Sequence, residues 1–221
     1  GLLSRWPGGR WYRPGRVRPL LAASLLMVSL ANLLFSQVGD ALALGALRLF
    51  GGIGFGLGTT VNLAQFIDTL PPQRSRERAM SLYTAALASG FMIGNLLAGW
   101  FSERGGYSAG FIAVAMPPLL AIAATPLARE PTSVREGRGD GKGLRALANA
   151  IGEPLLLVVL IEAFLLHFLF GLHYAYWALY FLAVGASLGS LGVIRGLFSG
   201  TQVVSRVGSS WLFIRLGYRR G

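Results

Sequence analysis

Cysteine is absent from this chain, and acid is scarce: nine Asp and Glu stand against twenty Lys and Arg, with only two His. The first absence excludes disulfides and thiolate metal sites. The second leaves no cluster with the spacing of a metal centre, so no metal and no cofactor are expected. Nor is there a glycine-rich phosphate loop or a serine in a nucleophile elbow, so no catalytic residues are assigned and an enzyme is not expected. Charge of either sign is rare, at 13% of residues, where a soluble domain carries about a quarter. What fills the space is apolar, 53% of the chain. The composition is that of an all-α integral membrane protein, with the lipid bilayer as its first partner.

Six runs are long enough to be read as transmembrane helices: Leu20 to Ser36, Ala41 to Ile67, Met80 to Phe101, Ala109 to Ala128, Pro154 to Leu182 and Leu188 to Leu212. Between them lie polar stretches that belong in water: Gln37 to Asp40, Asp68 to Arg78 with Pro71 and Pro72, the short turn Ser102 to Tyr107, and the long segment Arg129 to Asn149. Pro117 and Pro118 fall inside the fourth run, where neighbouring helices can satisfy the carbonyls a proline frees.

Placing the loops alternately on the two sides sorts the charges. One side receives the arginines at 5, 10, 13, 16 and 18, those at 74, 76 and 78, the cluster from Arg129 to Arg145, and Arg215, Arg219 and Arg220; the other receives only Arg104. Positive loops stay in the cytoplasm, so both ends of the segment are expected there, in a bacterial-type inner membrane. The net charge of +11 is thereby explained by topology, and no nucleic-acid partner is expected.

The stretch from Arg48 to Trp100 organises the rest. Glycines at spacings of three and four line its two membrane-length segments, and such small residues let a neighbouring backbone approach closely. Arg48 lies about seven residues inside its run, where an arginine needs a cavity or a partner. It is either a coupling or substrate-binding group, or it snorkels to the outer interface or bonds backbone carbonyls. Glu162 is the one acid well inside a run, and His173 stands eleven residues later, on nearly the same helical face. A histidine titrates near neutrality, so the two form a candidate proton site, with a structural hydrogen bond to another helix as the plainer alternative.

Basic stretches recur near the two ends. Arg13-Pro14-Gly15-Arg16 follows Ser4-Arg5, and Arg215-Leu216-Gly217-Tyr218-Arg219 follows Ser205-Arg206, each beside a membrane run, as duplicated halves would place them. On these residues the sequence resembles the major facilitator superfamily, whose basic motif recurs between the second and third helices and between the eighth and ninth. Gly8-Gly9-Arg10-Trp11-Tyr12-Arg13-Pro14-Gly15-Arg16 looks like the first copy and Ser210 to Arg219 like the second, with Tyr12 and Ile214 where the family carries an acid. Arg48 followed by Gly51, Gly52 and Gly54 looks like the fourth-helix motif. Gly90, Gly94, Asn95, Ala98 and Gly99 look like the fifth-helix antiporter motif, with Asn95 in place of the usual proline.

That resemblance implies a partial fold with pseudo-repeated halves, a fragment matching helices three to eight. Residues 1–128 would close the N-terminal half, 129–149 form the central cytoplasmic loop, and 150–221 open the C-terminal half. It implies a secondary transporter of a small solute, a monomer when full length, and proton-coupled efflux as the activity, with Arg48 and Glu162 in coupling. Nutrient uptake by symport and a six-span scaffold without transport are the alternatives.

Overall fold

The computed structural model describes residues 12–13, 15–70, 76–128 and 154–216, and the elements within them are helical, with no strand among the described residues. In chain order they are α1 (Val17–Phe35), α2 (Ala41–Thr69), α3 (Arg76–Ala124) with a short 3-10 turn at Thr125–Leu127, α4 (Pro154–Ala183) and α5 (Leu188–Leu216). Four stretches are long and apolar enough to cross a membrane: Val17–Phe35, Ala41–Thr69, Ala79–Leu127 and Phe164–Ala183. The long segment 129–149, expected as a cytoplasmic loop, lies outside the described residues.

Local chemistry sets the helix ends. Arg16 N–H bonds the Arg13 carbonyl at 3.0 Å, and Gly15 takes φ 77°, the left-handed third position of a type II turn. Helix α1 starts directly after it, three residues earlier than hydropathy suggests. Pro19 is no obstacle, because the first turn has no use for its missing N–H. Asp40 caps α2 by accepting the Ala43 N–H at 2.9 Å. At the other end of α2, Leu70 is extended (ψ 132°), as the residue before Pro71 should be. Helix α4 closes in a Schellman motif: Gly185 at φ 84° donates to the Leu182 carbonyl and Ala186 to that of Phe181.

Helix α3 runs for 49 residues with one break, Gly106 at φ 71° and ψ −175°, while the backbone stays helical at Pro117 and Pro118. A Cβ placed on Gly110 would lie 3.4 Å from the Ala98 carbonyl. Twelve residues of straight helix would separate these by about 18 Å. The chain therefore doubles back at Gly106, and residues 76–105 and 107–124 form a helical hairpin. The expected turn at Ser102 to Tyr107 is correctly placed but tighter than a loop, since one glycine reverses the direction.

Two compact units result: one contains residues 1–132 and 187–221, the other residues 133–186. In the first, α1 is the centre. Its face of Ser24, Met27 and Ala31 meets Gly58, Gly54 and Gly51 of α2, and a Cβ on Gly54 would come within 2.7 Å of Met27 Cβ. Val17 packs with Leu57 and Val61 at one end of this contact. The other side of α1 lies antiparallel to residues 107–124: Ser29 Oγ–H donates to the Ala115 carbonyl at 3.0 Å, both residues fully buried. Phe35 stacks on Phe111 at one end, and Arg18 donates to the Ala128 carbonyl at the other. Helix α5 completes the unit against residues 76–105.

The second unit is described by α4. It is apolar along most of its length, with Glu162 as its one acid, and carries stacked or tilted aromatic pairs, Phe164–Phe168, Phe170–Tyr174 and Trp177–Phe181.

Candidate functional site

A helix that packs through one stripe leaves the others free, and α2 illustrates this. Gly51, Gly54 and Gly58 turn toward α1. At 100° per residue Arg48 and Thr59 lie on another stripe, about 60° or more from each of these glycines, whereas Asn62 lies about 20° from Gly51. Arg48 and Asn62 are exposed and Thr59 is half-buried. The stripe also carries Phe55, exposed by 52%, and Phe66, which stacks on Tyr83 of α3 at 4.6 Å. Thr59 satisfies its hydroxyl on the Phe55 carbonyl of its own helix at 2.9 Å. From Arg48 to Asn62 is about 21 Å along the axis, most of a hydrocarbon layer. Arg48 is thus a cation off the glycine face of a membrane-length helix.

Glu162 is exposed on α4. His173 lies eleven residues on in the same unbroken helix, about 20° around the axis but about 16 Å along it. Arg48 belongs to the other compact unit.

The fifth-helix motif separates into faces. Gly99 abuts α5 so closely that a Cβ there would lie 2.7 Å from Gly192 Cα, and Leu96 and Met92 fill the space over Gly196 and Gly200. Asn95 Nδ2 donates to Ser199 Oγ at 3.5 Å. Around Gly90 and Gly94 a Cβ would meet nothing within 4 Å. Nine residues are two and a half helical turns, so Gly90 faces opposite to Gly99.

In the basic loop motif Arg13, Gly15 and Arg16 build the turn that starts α1, with both arginines exposed. In the second copy Arg215 closes α5, and Gly217 and Arg219 lie outside the described residues. Among the described residues no three His, Asp or Glu gather as metal ligands would.

Three contacts were missed by sequence reasoning. The Glu103 carboxylate accepts the Gly189 N–H at the start of α5. Arg206 Nη1 donates to the Thr84 carbonyl at 2.6 Å, and Ser81 Oγ–H donates to the Arg206 carbonyl at 2.9 Å. A signal was present in the spacing of Gly189, Gly192, Gly196 and Gly200, which marks one face of α5 as a close-packing surface.

Membrane-length helices joined through glycine faces define an integral multi-pass membrane protein. The chain belongs to the Major Facilitator Superfamily, whose family model matches residues 2–221. It is 28% identical over 160 residues to Multidrug resistance protein 1 of Bacillus subtilis (strain 168), an alignment covering 71% of this chain and 41% of that protein. The chain thus spans about two fifths of the length of the curated relative it matches. No solved structure matches it.

Proposed function

We propose that the protein to which this segment belongs is a secondary transporter that exports a small, amphiphilic solute in exchange for protons by alternating access. The observation that carries the reading is the place of Arg48 on α2, off the glycine face by which that helix packs on α1. An intramembrane cation left off the packing face has a use other than stability. Family membership supports transport, and the match to a multidrug resistance protein supports efflux. Arg48 and Glu162 are assigned to coupling, with His173 as a relay on the face of Glu162.

The reversal at Gly106 supports counting residues 76–105 and 107–124 as separate spans, which with α5 makes six. In this reading they are helices three to eight of the family fold, both ends of the segment face the cytoplasm of a bacterial cell, and the full-length protein works as a monomer. The division is that drawn from the sequence: residues 1–128 in the N-terminal half, 129–149 as the central loop and 150–221 in the C-terminal half. Uptake by symport is the second reading, favoured by Asn95, which bonds Ser199 where the antiporter motif has its proline.

The test uses the full-length gene product in everted vesicles with an imposed proton gradient and a pH-sensitive dye. Addition of dyes, drugs and metabolites in turn is expected to reveal a compound that discharges the gradient, and Arg48→Ala is expected to abolish the discharge while the protein still inserts. Discharge undiminished by Arg48→Ala sinks the assignment; radiolabelled nutrient accumulation in whole cells supports uptake instead.

A further inference from the structure

Helices α2 and α5 start from the same end of their compact unit, the end at which α3 reverses. Beside Gly106, Ser108 Oγ–H donates to the Ser36 carbonyl at 3.1 Å, shortly before α2 begins, and the Glu103 carboxylate accepts the Gly189 N–H in the first turn of α5. Each helix carries an arginine seven residues past its first, Arg48 after Ala41 and Arg195 after Leu188. Both therefore stand about 10 Å in from that end, within the depth of a hydrocarbon layer. Neither lies on a glycine packing face: Arg48 is about 60° or more around its helix from Gly51, Gly54 and Gly58, and Arg195 about 60° or more from Gly192, Gly196 and Gly200. Arg195 is half-buried, on a flank of α5 shared with Ser199, Gln202 and Arg206, all within about 40° of it. The exposed apolar residues Val193, Leu197 and Val204 are turned about 160° or more away. A cation set opposite the apolar side of its helix faces the interior of a bundle rather than lipid.

We infer that Arg48 and Arg195 are the two poles of one anion-binding subsite, and that the solute is an amphiphile carrying an acidic group such as a carboxylate or sulfonate. The inference deepens the transport reading, whose solute it assigns to a chemical class, and rests on it. Two positive charges at one level of an apolar medium repel each other, and a single anion between them attracts both. The acids at that end of the unit already serve backbone groups: Asp40 accepts the Ala43 N–H and Glu103 the Gly189 N–H. Asp68 lies at the opposite end of α2, in its last turn. A guanidinium suits the role, since its fork matches the two oxygens of a carboxylate and it stays charged throughout the physiological range. The stripe of Arg48 continues inward with Phe55, about 20° around the axis and about 10 Å deeper, and 52% exposed. An acid held at the level of the arginines leaves its apolar tail beside an aromatic side chain, which orients the solute with its charge toward the Gly106 end.

Three fluorescent probes that share a dansyl-undecanoyl body and end in a carboxylate, a primary amide or a trimethylammonium group test this by direct binding. Each is titrated against the full-length protein in zwitterionic nanodiscs and read by energy transfer from tryptophan, with empty discs as the blank. The carboxylate is expected to bind about tenfold tighter than the amide, the scale of one hydrogen bond to a charged group over a neutral one. The trimethylammonium probe is expected to bind more weakly than either. Arg195→Gln is expected to bring the carboxylate down to the level of the amide and leave the amide unchanged, and Arg195→Lys, which keeps a charge without the fork, to fall between. Equal binding of the three probes by the wild type, or tighter binding of the trimethylammonium probe, overturns the inference without recourse to any variant. So does an Arg195→Gln protein that loses all three probes alike, because a structural role alone would do that. The titration needs no proton gradient. A carboxylate preference without proton exchange in vesicles would keep the subsite and discard efflux, whereas proton exchange without that preference would keep efflux and discard the subsite.

Discussion

Two helix pairs in this protein rest on glycine, and they are built differently. Helix α2 presents Gly51, Gly54 and Gly58 to α1, and the opposing Ser24 turns its hydroxyl back to the Leu21 carbonyl of its own helix. Helix α5 presents Gly192, Gly196 and Gly200 to α3, and there polar groups reach across: Asn95 to Ser199, Arg206 to Thr84, Ser81 to the Arg206 carbonyl. Close packing holds only while the fit is intact, because dispersion decays within about an ångström of separation. Directed bonds at the ends of a seam can be broken and remade with water as the substitute partner. The α3–α5 pair joins close packing in its middle with directed bonds along its length.

The sharpest way to break that comparison is to push the α3–α5 backbones apart. A Cβ on Gly192 would lie 2.6 Å from Gly99 Cα and 2.7 Å from the Asn95 carbonyl, neither of which can swing away. Gly192→Val is expected to destabilise the full-length protein by about 3 kcal/mol, at the upper end for overpacking, and to abolish transport. Thermal unfolding in detergent and vesicle flux report the two effects. Gly54→Ala strikes the other pair, at 2.7 Å from Met27 Cβ and 3.0 Å from the Ser24 carbonyl. A loss of about 1–2 kcal/mol in the same unfolding assay is expected, with residual transport in proportion to the protein that remains folded.

Asn95→Ala removes one long bond, 3.5 Å to Ser199, and is expected to cost about 0.6 kcal/mol, the average for bonds between membrane helices. A double-mutant cycle with Ser199→Ala isolates that energy; a coupling near zero would show the pair to be neighbours only. The smallest effect belongs to Gly90→Ala and Gly94→Ala, where nothing lies within 4 Å. Both are expected to leave unfolding unchanged or raise stability by a few tenths of a kcal/mol, through the better helix propensity of alanine. A large loss at either position would mean that a further helix of the full-length protein packs on that face.

Much of the fold could be read from the residues. The hydropathy runs found the helices to within a few residues, the start of α2 at Ala41 among them. The misplacements share a physical cause, which is that helices outlast the apolar stretch. Helix α1 begins at Val17, before hydropathy rises, and α2 continues through Asp68, since backbone hydrogen bonding is indifferent to whether a side chain sits in lipid or at its surface. The site was less legible. Arg48 stands out in sequence, but its place off the packing face becomes visible only when the α1-facing glycines fix the orientation of α2. The fifth-helix glycines looked like a single packing surface, yet Gly90 and Gly99 are half a turn out of phase, and only Gly99 meets α5. Glu103 and Gly189 are 86 residues apart, a pairing that no local pattern encodes.

The reversal at Gly106 also bears on how the chain is made. A single left-handed residue leaves no slack by which residues 76–105 could settle in the bilayer while 107–124 wait outside. On that count the two halves enter as a pair, with Glu103 and Arg104 together at the tip. Arg104 is held 4.0 Å over the Trp100 ring and Glu103 on the Gly189 N–H, so both charges at the tip of the hairpin are engaged by the protein itself.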